Sequence, residues 1–405
     1  MDSHIARAVP KPTPVSPALL VTLALLAAIA PMATDLYLPA FPLMVEELSI
    51  TSTQVQLSLT AFLVGGGAGQ ALFGPLSDRF GRRQPLLIGL TLYVAASIAA
   101  ASAPSITALL MARLVQGFAS AAGMVIGRAV VADVAHGAEA ARVFNVVMLA
   151  AGVAPIAAPV LGSTLAHLIG WRGLMLVSMA VGLVTIPAVY LSIRDTRPSA
   201  HSGPMAGRGG LRTALKSRDF IGYSLASSFM LAVLMAYISA SPFLYQTMMG
   251  LSSFQYGLVF GVNALLLMGT GLVSNRLSRR FPVESLARNG LRISLAAIAL
   301  LALLAASGAP AVALALPLSL AIGVLGLAAG NITALALDAA RGAAGSASAL
   351  MGMLQFGVAG IAAPLVNLGG TSTTLPMTLV MLCFSCLTYA AFSYGTGQSS
   401  RRAHP

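Results

Sequence analysis

Two ionisable side chains lie inside long apolar stretches of the sequence, where a charge is difficult to accommodate. Asp35 is the only acid deep within an apolar run (18–43), and Arg113 lies within another (106–131). Both are predicted roughly 10–12 Å from the same end of their helices, so they should face the protein interior. A carboxyl group in such a place can change its protonation with conformation, which proton coupling requires. The alternative is a structural ion pair that closes an outer gate.

Further polar side chains within the apolar runs are candidates for substrate binding. Unsatisfied polar groups cost free energy in a nonpolar medium, so each must either line a cavity or bond a neighbouring helix. The sequence leaves both roles open. The candidates are Tyr37, Gln116, Tyr237, Asn263, Asn331 and Gln355.

The remaining residues do not indicate a metal site, a cofactor, ATP hydrolysis or nucleic-acid binding. Cys383 and Cys386 have no accompanying histidines and the five histidines are scattered, so neither a metal site nor a cofactor is predicted. Neither lysine, Lys11 or Lys216, lies in a phosphate-binding loop, which argues against ATP hydrolysis. The net charge of +12 is spread between the apolar runs rather than gathered in one patch, so nucleic acid is not an expected partner. We therefore do not expect an enzyme.

The composition indicates a membrane protein that crosses the bilayer many times. Only 8% of the 405 residues are charged and 57% are hydrophobic, whereas about 25% of the residues in a soluble domain are charged. About 20 apolar residues span a bilayer as a helix. The apolar runs predict twelve spans, numbered here in chain order: 18–43, 54–75, 85–103, 106–131, 142–164, 173–193, 220–246, 254–275, 289–307, 310–334, 347–368 and 375–395.

The distribution of basic residues predicts the orientation of the chain. Nineteen Lys and Arg residues fall on the side that holds both termini, and only Arg172 falls in the opposite loops. Because basic loops stay cytoplasmic, both termini are predicted to be cytoplasmic. The predicted organisation is a cytoplasmic N-terminus (1–17), a six-helix bundle (18–193), a cytoplasmic linker (194–219), a second six-helix bundle (220–395) and a cytoplasmic tail (396–405).

The two bundles carry repeated sequence. GPLSDRFGRR at 74–83 corresponds to GLVSNRLSRR at 271–280, and GVAPIAAP at 152–159 corresponds to GVAGIAAP at 357–364. Both pairs fall at equivalent places, the loop after the second span and the fifth span of each half. Such duplication is typical of secondary transporters, which bind substrate between two halves near the midplane.

Several of these motifs resemble those of the major facilitator superfamily. The segment 74–87, GPLSDRFGRRQPLL, is similar to its signature loop, and TDLYLPAFP (34–42), RLVQG (113–117) and GWR (170–172) resemble motifs of its Bcr/CflA group of drug exporters. The resemblance implies twelve helices in two pseudo-symmetric bundles, a bacterial inner-membrane location, a monomer, and a role for Asp35 and Arg113 in proton coupling.

The resemblance also assigns two groups of residues. In the first, Asp78 would face the start of span 11 and Arg82 would pair with Asp133, forming a cytoplasmic gate with Gly74, Arg79, Gly81 and Arg83. The alternative is that these charges only orient the chain. The second group is an antiporter motif in span 5, with generic helix packing as the alternative; its residues are Gly152, Pro155, Pro159 and Gly162.

The expected function is therefore export of a small amphipathic drug in exchange for protons, with the lipid bilayer as surroundings and phenicol antibiotics as the best single candidate. The alternatives are an exporter of a metabolite, such as an amino acid or sugar, and a facilitator without proton coupling.

Overall fold

The computed structural model describes residues 15–134, 137–193, 215, 217–340, 344–366 and 373–396. Nearly all of the predicted N-terminus, linker and tail lies outside these ranges. The described residues are predominantly helical, and eleven helical segments among them are long and apolar enough to cross a membrane. One of these segments contains two spans, so the predicted twelve-helix fold class is confirmed.

The first half contains six spans whose boundaries follow from local sequence. Span 2 begins at Thr51, whose side chain accepts from the Gln54 backbone while the Gln54 side chain accepts from the Thr51 backbone, a reciprocal capping box. The helices of this half are Pro17–Asp35, Phe41–Glu47, Ser52–Phe80, Arg83–Ala101, Ile106–Val134 and Gly137–Ser192.

Span 1 is not the continuous helix that its apolar run predicts. Its first helix ends at Asp35, and the chain bends through a short 3₁₀ turn at Leu38–Ala40 before continuing as Phe41–Glu47. The bend lies in the sequence LYLPAFP, where Pro39 and Pro42 lack the backbone N–H that a continuous helix would use. Asp35 therefore lies at a helix end within the membrane rather than partway along a helix.

Spans 5 and 6 form one helical segment in which Gly170 alone marks the turn between them. The apolar part, Leu149–Ser192, has 44 residues and would be about 66 Å long if straight, roughly twice a bilayer core. Gly170 has φ 64° and ψ 180°, a conformation that residues with a β-carbon rarely adopt. The predicted loop between residues 164 and 173 is thus reduced to a sharp bend at one residue.

The second half repeats the arrangement with local differences. Span 8 begins with a capping box of Ser252 and Gln255, equivalent to the one at the start of span 2. Span 7 ends in a π-helical turn, and span 10 is interrupted at residues 324–325. The helices are Arg218–Pro242 (continued by Phe243–Met248), Ser253–Leu277, Val283–Ala306, Ala315–Gly323, Gly326–Ala339, Ala344–Leu365 and Leu375–Thr396.

The duplicated sequences pack at equivalent interfaces between the halves. Span 5 of the first half contacts span 8 of the second, and span 11 of the second half contacts span 2 of the first. Both contacts use small residues: Gly257 lies against Ser163, and Gly360 lies against Leu63 and Val64. Small side chains let helix backbones approach closely where lipid provides no hydrophobic driving force.

Glycines also fix the packing of spans 2 and 4 within the first half. A β-carbon at Gly117 would overlap the carbonyl oxygen of Phe62, and one at Gly65 would overlap the carbonyl oxygen of Leu114. These helices can approach this closely only while both positions remain glycine. Close packing through glycine therefore joins span 2 to span 4.

We predict that Gly117→Ala destabilises the protein, because the added methyl group must push span 4 away from span 2. Overpacking of this kind costs about 1–3 kcal/mol, which should appear as a lower melting temperature of the purified protein in detergent. Gly269→Ala is the matched control, since a β-carbon at Gly269 has no neighbour within 4 Å. Equal melting temperatures for the two variants would contradict the prediction.

Candidate functional site

Asp35 lies at the end of the first helix of span 1, enclosed by protein. The residue is 4% exposed, and its Oδ1 accepts a hydrogen bond from Thr34 Oγ1 at 2.9 Å. The last carbonyl groups of a helix carry negative partial charge, so they do not stabilise a carboxylate. No ion pair to Asp35 occurs among the described residues. The carboxyl group must therefore gain a cation or a proton when its environment changes.

Two tyrosines of the second half, Tyr237 and Tyr256, are buried in the neighbourhood of Asp35. The carboxylate is close enough to Tyr237 and Tyr256 for electrostatic interaction with both. The hydroxyl oxygen of Tyr237 accepts from Asn263 Nδ2 at 2.9 Å, which leaves the hydroxyl hydrogen available to another acceptor. Tyr256 shares a hydrogen bond with Ser241 at 3.1 Å. Buried hydrogen-bonding groups of the second half are thus within electrostatic range of the acid of the first half.

Arg113 is fully buried and is surrounded by aromatic rings. Its guanidinium carbon lies 4.4 Å from the ring centre of Tyr37 and 4.6 Å from that of Phe62. Nη1 donates to Gln116 Oε1 at 2.6 Å, whereas Nε and Nη2 have no hydrogen-bond partner in the described part of the chain. Cation–π contacts stabilise a desolvated cation only partly, so an anion would bind favourably here.

The structure connects Asp35 and Arg113 indirectly. They form no ion pair, but Tyr37, two residues after Asp35, lies on the guanidinium group of Arg113. The Tyr37 hydroxyl shares a hydrogen bond with Ser58 at 3.0 Å. The bend in span 1 therefore brings the two groups into one continuous cluster without direct contact between their charges.

The cluster around Arg82 lies at the end of the bundle where span 1 begins, which we call the proximal end. Arg82 donates to Asp133 at 2.8 Å, as the resemblance predicts, and to Asp78 at 2.6 Å. Burial is the largest single influence on the pKa of Arg82, and it lowers that pKa. The hydrogen bonds and charges of Asp133 and Asp78 together outweigh burial and raise the pKa of Arg82 above its usual value. Arg82 thus stays charged and joins spans 2 and 4.

Asp78 is predicted to face the start of span 11, and the contact that the structure shows for it is with Arg82. The Asp78 side chain is 67% exposed. The other predicted gate residues lie in or beside this loop. Gly81 has φ 87°, and Gly74 faces Val125. The guanidinium groups of Arg79 and Arg83 stack on the rings of Phe80 and Tyr190, respectively. The Arg82 cluster therefore holds the first half together in this conformation.

The predicted antiporter motif lies between span 1 and the second half. A β-carbon at Gly162 would overlap the carbonyl oxygen of Leu36, the first residue after Asp35. Pro159 lies next to Gly257, and Gly152 faces Met268, both of span 8; Pro155 is half-buried. Span 5 thus supports the bend beside Asp35 and contacts the other half along the same face.

A cavity of about 320 Å³ opens between the halves toward the proximal end. Its polar lining consists of Gln70, Arg128, Thr333, Ser348 and Gln355. The remaining lining residues are apolar or glycine and include Leu23, Ala27, Met351 and Phe356. Cavities of this size are typical of small-molecule sites.

The opposite, distal end of the bundle is closed by contacts between the halves. Gln56 Nε2 donates to the Ser239 carbonyl at 2.9 Å, and Gln246 Nε2 donates to the Pro39 carbonyl at 3.1 Å. Phe41 and Phe243 pack across the same boundary. The structure therefore has one open and one closed end.

Of the predicted substrate residues, only Gln355 lines this cavity. Gln116 joins Arg113 to Ser97, and Asn331 joins span 10 to Ser274 of span 8. Tyr237 and Asn263 bond each other, and Tyr37 lies on Arg113. These five residues serve helix contacts in this conformation, which is the second of the two roles that the sequence left open.

Sequence reasoning missed three polar residues with conspicuous positions. Arg128 and Gln70 line the cavity, and Glu47 accepts hydrogen bonds from Trp171 Nε1 (2.8 Å) and Arg172 Nη1 at the distal end. The scarcity of charge that drew attention to Arg113 applies equally to Arg128, fifteen positions later in the same span. The position of Glu47 did not suggest a special role, because a charged residue is ordinary at the end of an apolar run.

Two repeated six-helix bundles around a cavity that opens at one end define the class of secondary transporters. The chain belongs to the Major Facilitator Superfamily, whose family model matches residues 23–364. It is therefore a multi-pass membrane transporter and not an enzyme.

Relatives and solved structures agree with this assignment. The chain is 36% identical over 289 residues to an uncharacterized MFS-type transporter, YdgK, of Bacillus subtilis (strain 168), covering 70% of this chain and 72% of the relative. It is 27% identical over 277 residues to a bicyclomycin resistance protein homolog of Haemophilus influenzae (68% and 70% covered). It is 31% identical over 277 residues to a chloramphenicol resistance protein of Pseudomonas aeruginosa (68% and 65% covered).

The fold matches that of a D-xylose-proton symporter with a TM-score of 0.77 at 13% identity, covering 93% of this chain and 96% of the other. It also matches an inward-facing bacterial homolog to the human lysosomal transporter Spinster, with a TM-score of 0.73 at 17% identity, covering 95% and 98%. At these identities the likeness shows the fold alone.

We predict that Glu47→Ala lowers the melting temperature, because it leaves the Trp171 indole N–H, in a residue 1% exposed, without an acceptor. An unsatisfied buried donor costs about 1–3 kcal/mol. Glu46→Ala is the matched control, since Glu46 is exposed on the same helix. Thermal unfolding of both purified variants checks the prediction, and an equally stable Glu47 variant would contradict it.

Proposed function

We propose that the protein exports small amphipathic drugs in exchange for protons by alternating access, with phenicol antibiotics as the first candidates. The observation that carries the proposal is Asp35, a carboxyl group without an ion-pair partner among the described residues, at a helix end between the two halves. The similarity to proteins named for bicyclomycin and chloramphenicol resistance supports a drug as cargo.

Alternating access requires that the open and closed ends exchange. If both termini are cytoplasmic, as the basic residues predict, the cavity opens to the cytoplasm and loads cargo from inside the cell. Opening the distal end means breaking the contacts of Gln56 with Ser239 and of Gln246 with Pro39. These are single hydrogen bonds between neutral groups, each worth only about 0.5–1.5 kcal/mol net, so a change in charge nearby can shift the equilibrium.

The proton step is assigned to Asp35. Loss of its proton places a negative charge within electrostatic range of Tyr237 and Tyr256 of the other half and two residues from Tyr37, which stacks on Arg113 of its own half. The two conformations then differ in how well they stabilise that charge, and a ligand shifts a conformational equilibrium only through such differential stabilisation. In this scheme Arg113 is the buried cation that favours the ionised state.

The remaining assignments follow the same scheme. The Arg82 cluster acts as part of the cytoplasmic gate, and Gly162 and its neighbours in span 5 keep the bend of span 1 in place as the halves move. Gln355 contacts cargo in the open cavity, while Tyr237 and Asn263 reach it after the halves move. We propose a monomer in the bacterial inner membrane.

We predict that Asp35→Asn abolishes proton-driven transport but preserves downhill exchange, because asparagine keeps the shape and cannot release a proton. In proteoliposomes, the variant should accumulate chloramphenicol no further under an imposed pH gradient than without one. Exchange of internal for external drug, which needs no proton, should continue. Glu46→Gln serves as the control for loss of one acid from span 1. Unchanged gradient-driven accumulation by Asp35→Asn would refute the assignment, and absence of any gradient effect in the wild type would indicate an uncoupled facilitator.

The cargo is tested separately in a bacterial host that lacks its own drug pumps. We predict that expression raises the inhibitory concentration of chloramphenicol and florfenicol, because export lowers the drug concentration in the cytoplasm. The Asp35→Asn variant, matched for expression, should not protect the cells. If no drug in a broad panel is affected while cells export an amino acid or sugar, the protein is a metabolite exporter.

A further inference from the structure

The open cavity has an uneven distribution of charge. Arg128 is the one charged residue among those that line it in the described part of the chain, and no Asp or Glu is among them. Asp35 lies eight positions beyond Ala27, which places it about 12 Å farther along span 1. A cargo in this cavity therefore meets a positive charge first, and the acid lies deeper in the bundle.

Arg128 lines the cavity, and its guanidinium group is bonded to its own helix through one nitrogen atom. Nε donates to the Met124 carbonyl one turn earlier at 3.0 Å. The described residues provide no hydrogen-bond or ion-pair partner for Nη1 and Nη2, and the side chain lines the cavity as an exposed group. Two charged donors on one rigid plane match the geometry of a carboxylate, a nitro group or another paired-oxygen acceptor.

Gln70 adds a second donor with no protein partner. It is 1% exposed and lines the same cavity from span 2, and its Nε2 atom has no hydrogen bond within the described ranges. The Oε1 atom lies against Gly352 of span 11, where a β-carbon would overlap it. A buried amide donor without an acceptor is costly, and an oxygen atom from a ligand would satisfy it.

We propose that Arg128 and Gln70 form a binding subsite for an oxygen-rich acceptor group, so that the cargo is a neutral or anionic amphipath and not a lipophilic cation. The apolar body of such a cargo contacts Leu23, Met124, Met351 and Phe356, which line the rest of the cavity. This inference rests on the proposed drug export, and it concerns how the cargo is recognised rather than how transport is driven.

The test measures binding to the purified full-length protein in detergent, which requires no transport. The probes are chloramphenicol, which carries a nitro group, chloramphenicol succinate, which adds a carboxylate, and tetraphenylphosphonium, a lipophilic cation. We expect the wild type to bind the succinate ester more tightly than the cation. Arg128→Gln should weaken binding of the ester about tenfold or more, and Arg128→Lys should weaken it less. Gln70→Leu should weaken binding of both chloramphenicol probes.

Arg288→Gln is the matched control, because it removes one arginine from the same end of the bundle outside the cavity lining. Size-exclusion profiles and melting temperatures identify any variant that fails to fold. If Arg128→Gln fails to fold, the affinity of the wild type is compared with that of Arg128→Lys. Equal affinity of the wild type and both Arg128 variants for the succinate ester overturns the subsite, even when drug export itself is observed. Tighter binding of tetraphenylphosphonium than of the ester also overturns the subsite.

Competition with inorganic phosphate distinguishes a site for any anion from a site for an amphipathic cargo. Displacement of the ester by millimolar phosphate would indicate a simple anion site and overturn the assignment to an amphipath, whereas undiminished binding supports it. Absence of binding by either chloramphenicol probe overturns the subsite. Drug export by the same protein in the susceptibility assay then decides whether the proposed function also fails.

Discussion

Asp35 and Arg113 lie inside a bundle whose outer surface faces lipid, and neither is in contact with that lipid: they are 4% and 0% exposed. A charge in hydrocarbon costs several kcal/mol, so the helices around these two residues must enclose them. The aromatic rings of Tyr37 and Phe62 enclose Arg113, and the bend of span 1 follows directly after Asp35. The requirement to shield charge thus determines how the first half is packed at its centre.

The bend in span 1 depends in turn on span 5. Gly162 leaves room for the Leu36 carbonyl group at the point where the first helix has ended. In lipid, non-helical backbone is tolerated only where protein or water satisfies it or covers it. The same face of span 5 reaches span 8 through Pro159 and Gly152. In the proposed alternating access, a movement of span 8 against span 5 would therefore reach the bend of span 1 beside Asp35.

The duplicated halves share equivalent helix contacts but differ in the polar residues that they contain. Spans 5 and 11, which carry GVAPIAAP and GVAGIAAP, occupy equivalent interfaces with spans 8 and 2. The second half instead contains neutral hydrogen-bonded groups, one formed by Tyr237, Tyr245 and Asn263 and a separate pair formed by Tyr256 and Ser241. In the signature loops, Asp78 is replaced by Asn275. In the proposed mechanism, the buried charges of the first half interact with neutral hydrogen-bonding groups of the second half, so that a single proton would change the interaction between the halves.

The sequence by itself determined the membrane class, the twelve spans, the duplication and, through resemblance, the pairing of Arg82 with Asp133. The first three depend on composition, on long apolar runs and on repeated motifs, whereas the pairing joins residues 51 positions apart and came from the resemblance alone. The bend at Asp35, the rings around Arg113, and the positions of Arg128, Gln70 and Glu47 were decided only by the tertiary structure. The reason is that lipid and the bundle interior are both apolar, so the pattern of a span does not reveal which of its faces points inward. Helix rotation, and with it the lining of the cavity, is fixed by contacts between spans that are distant in sequence.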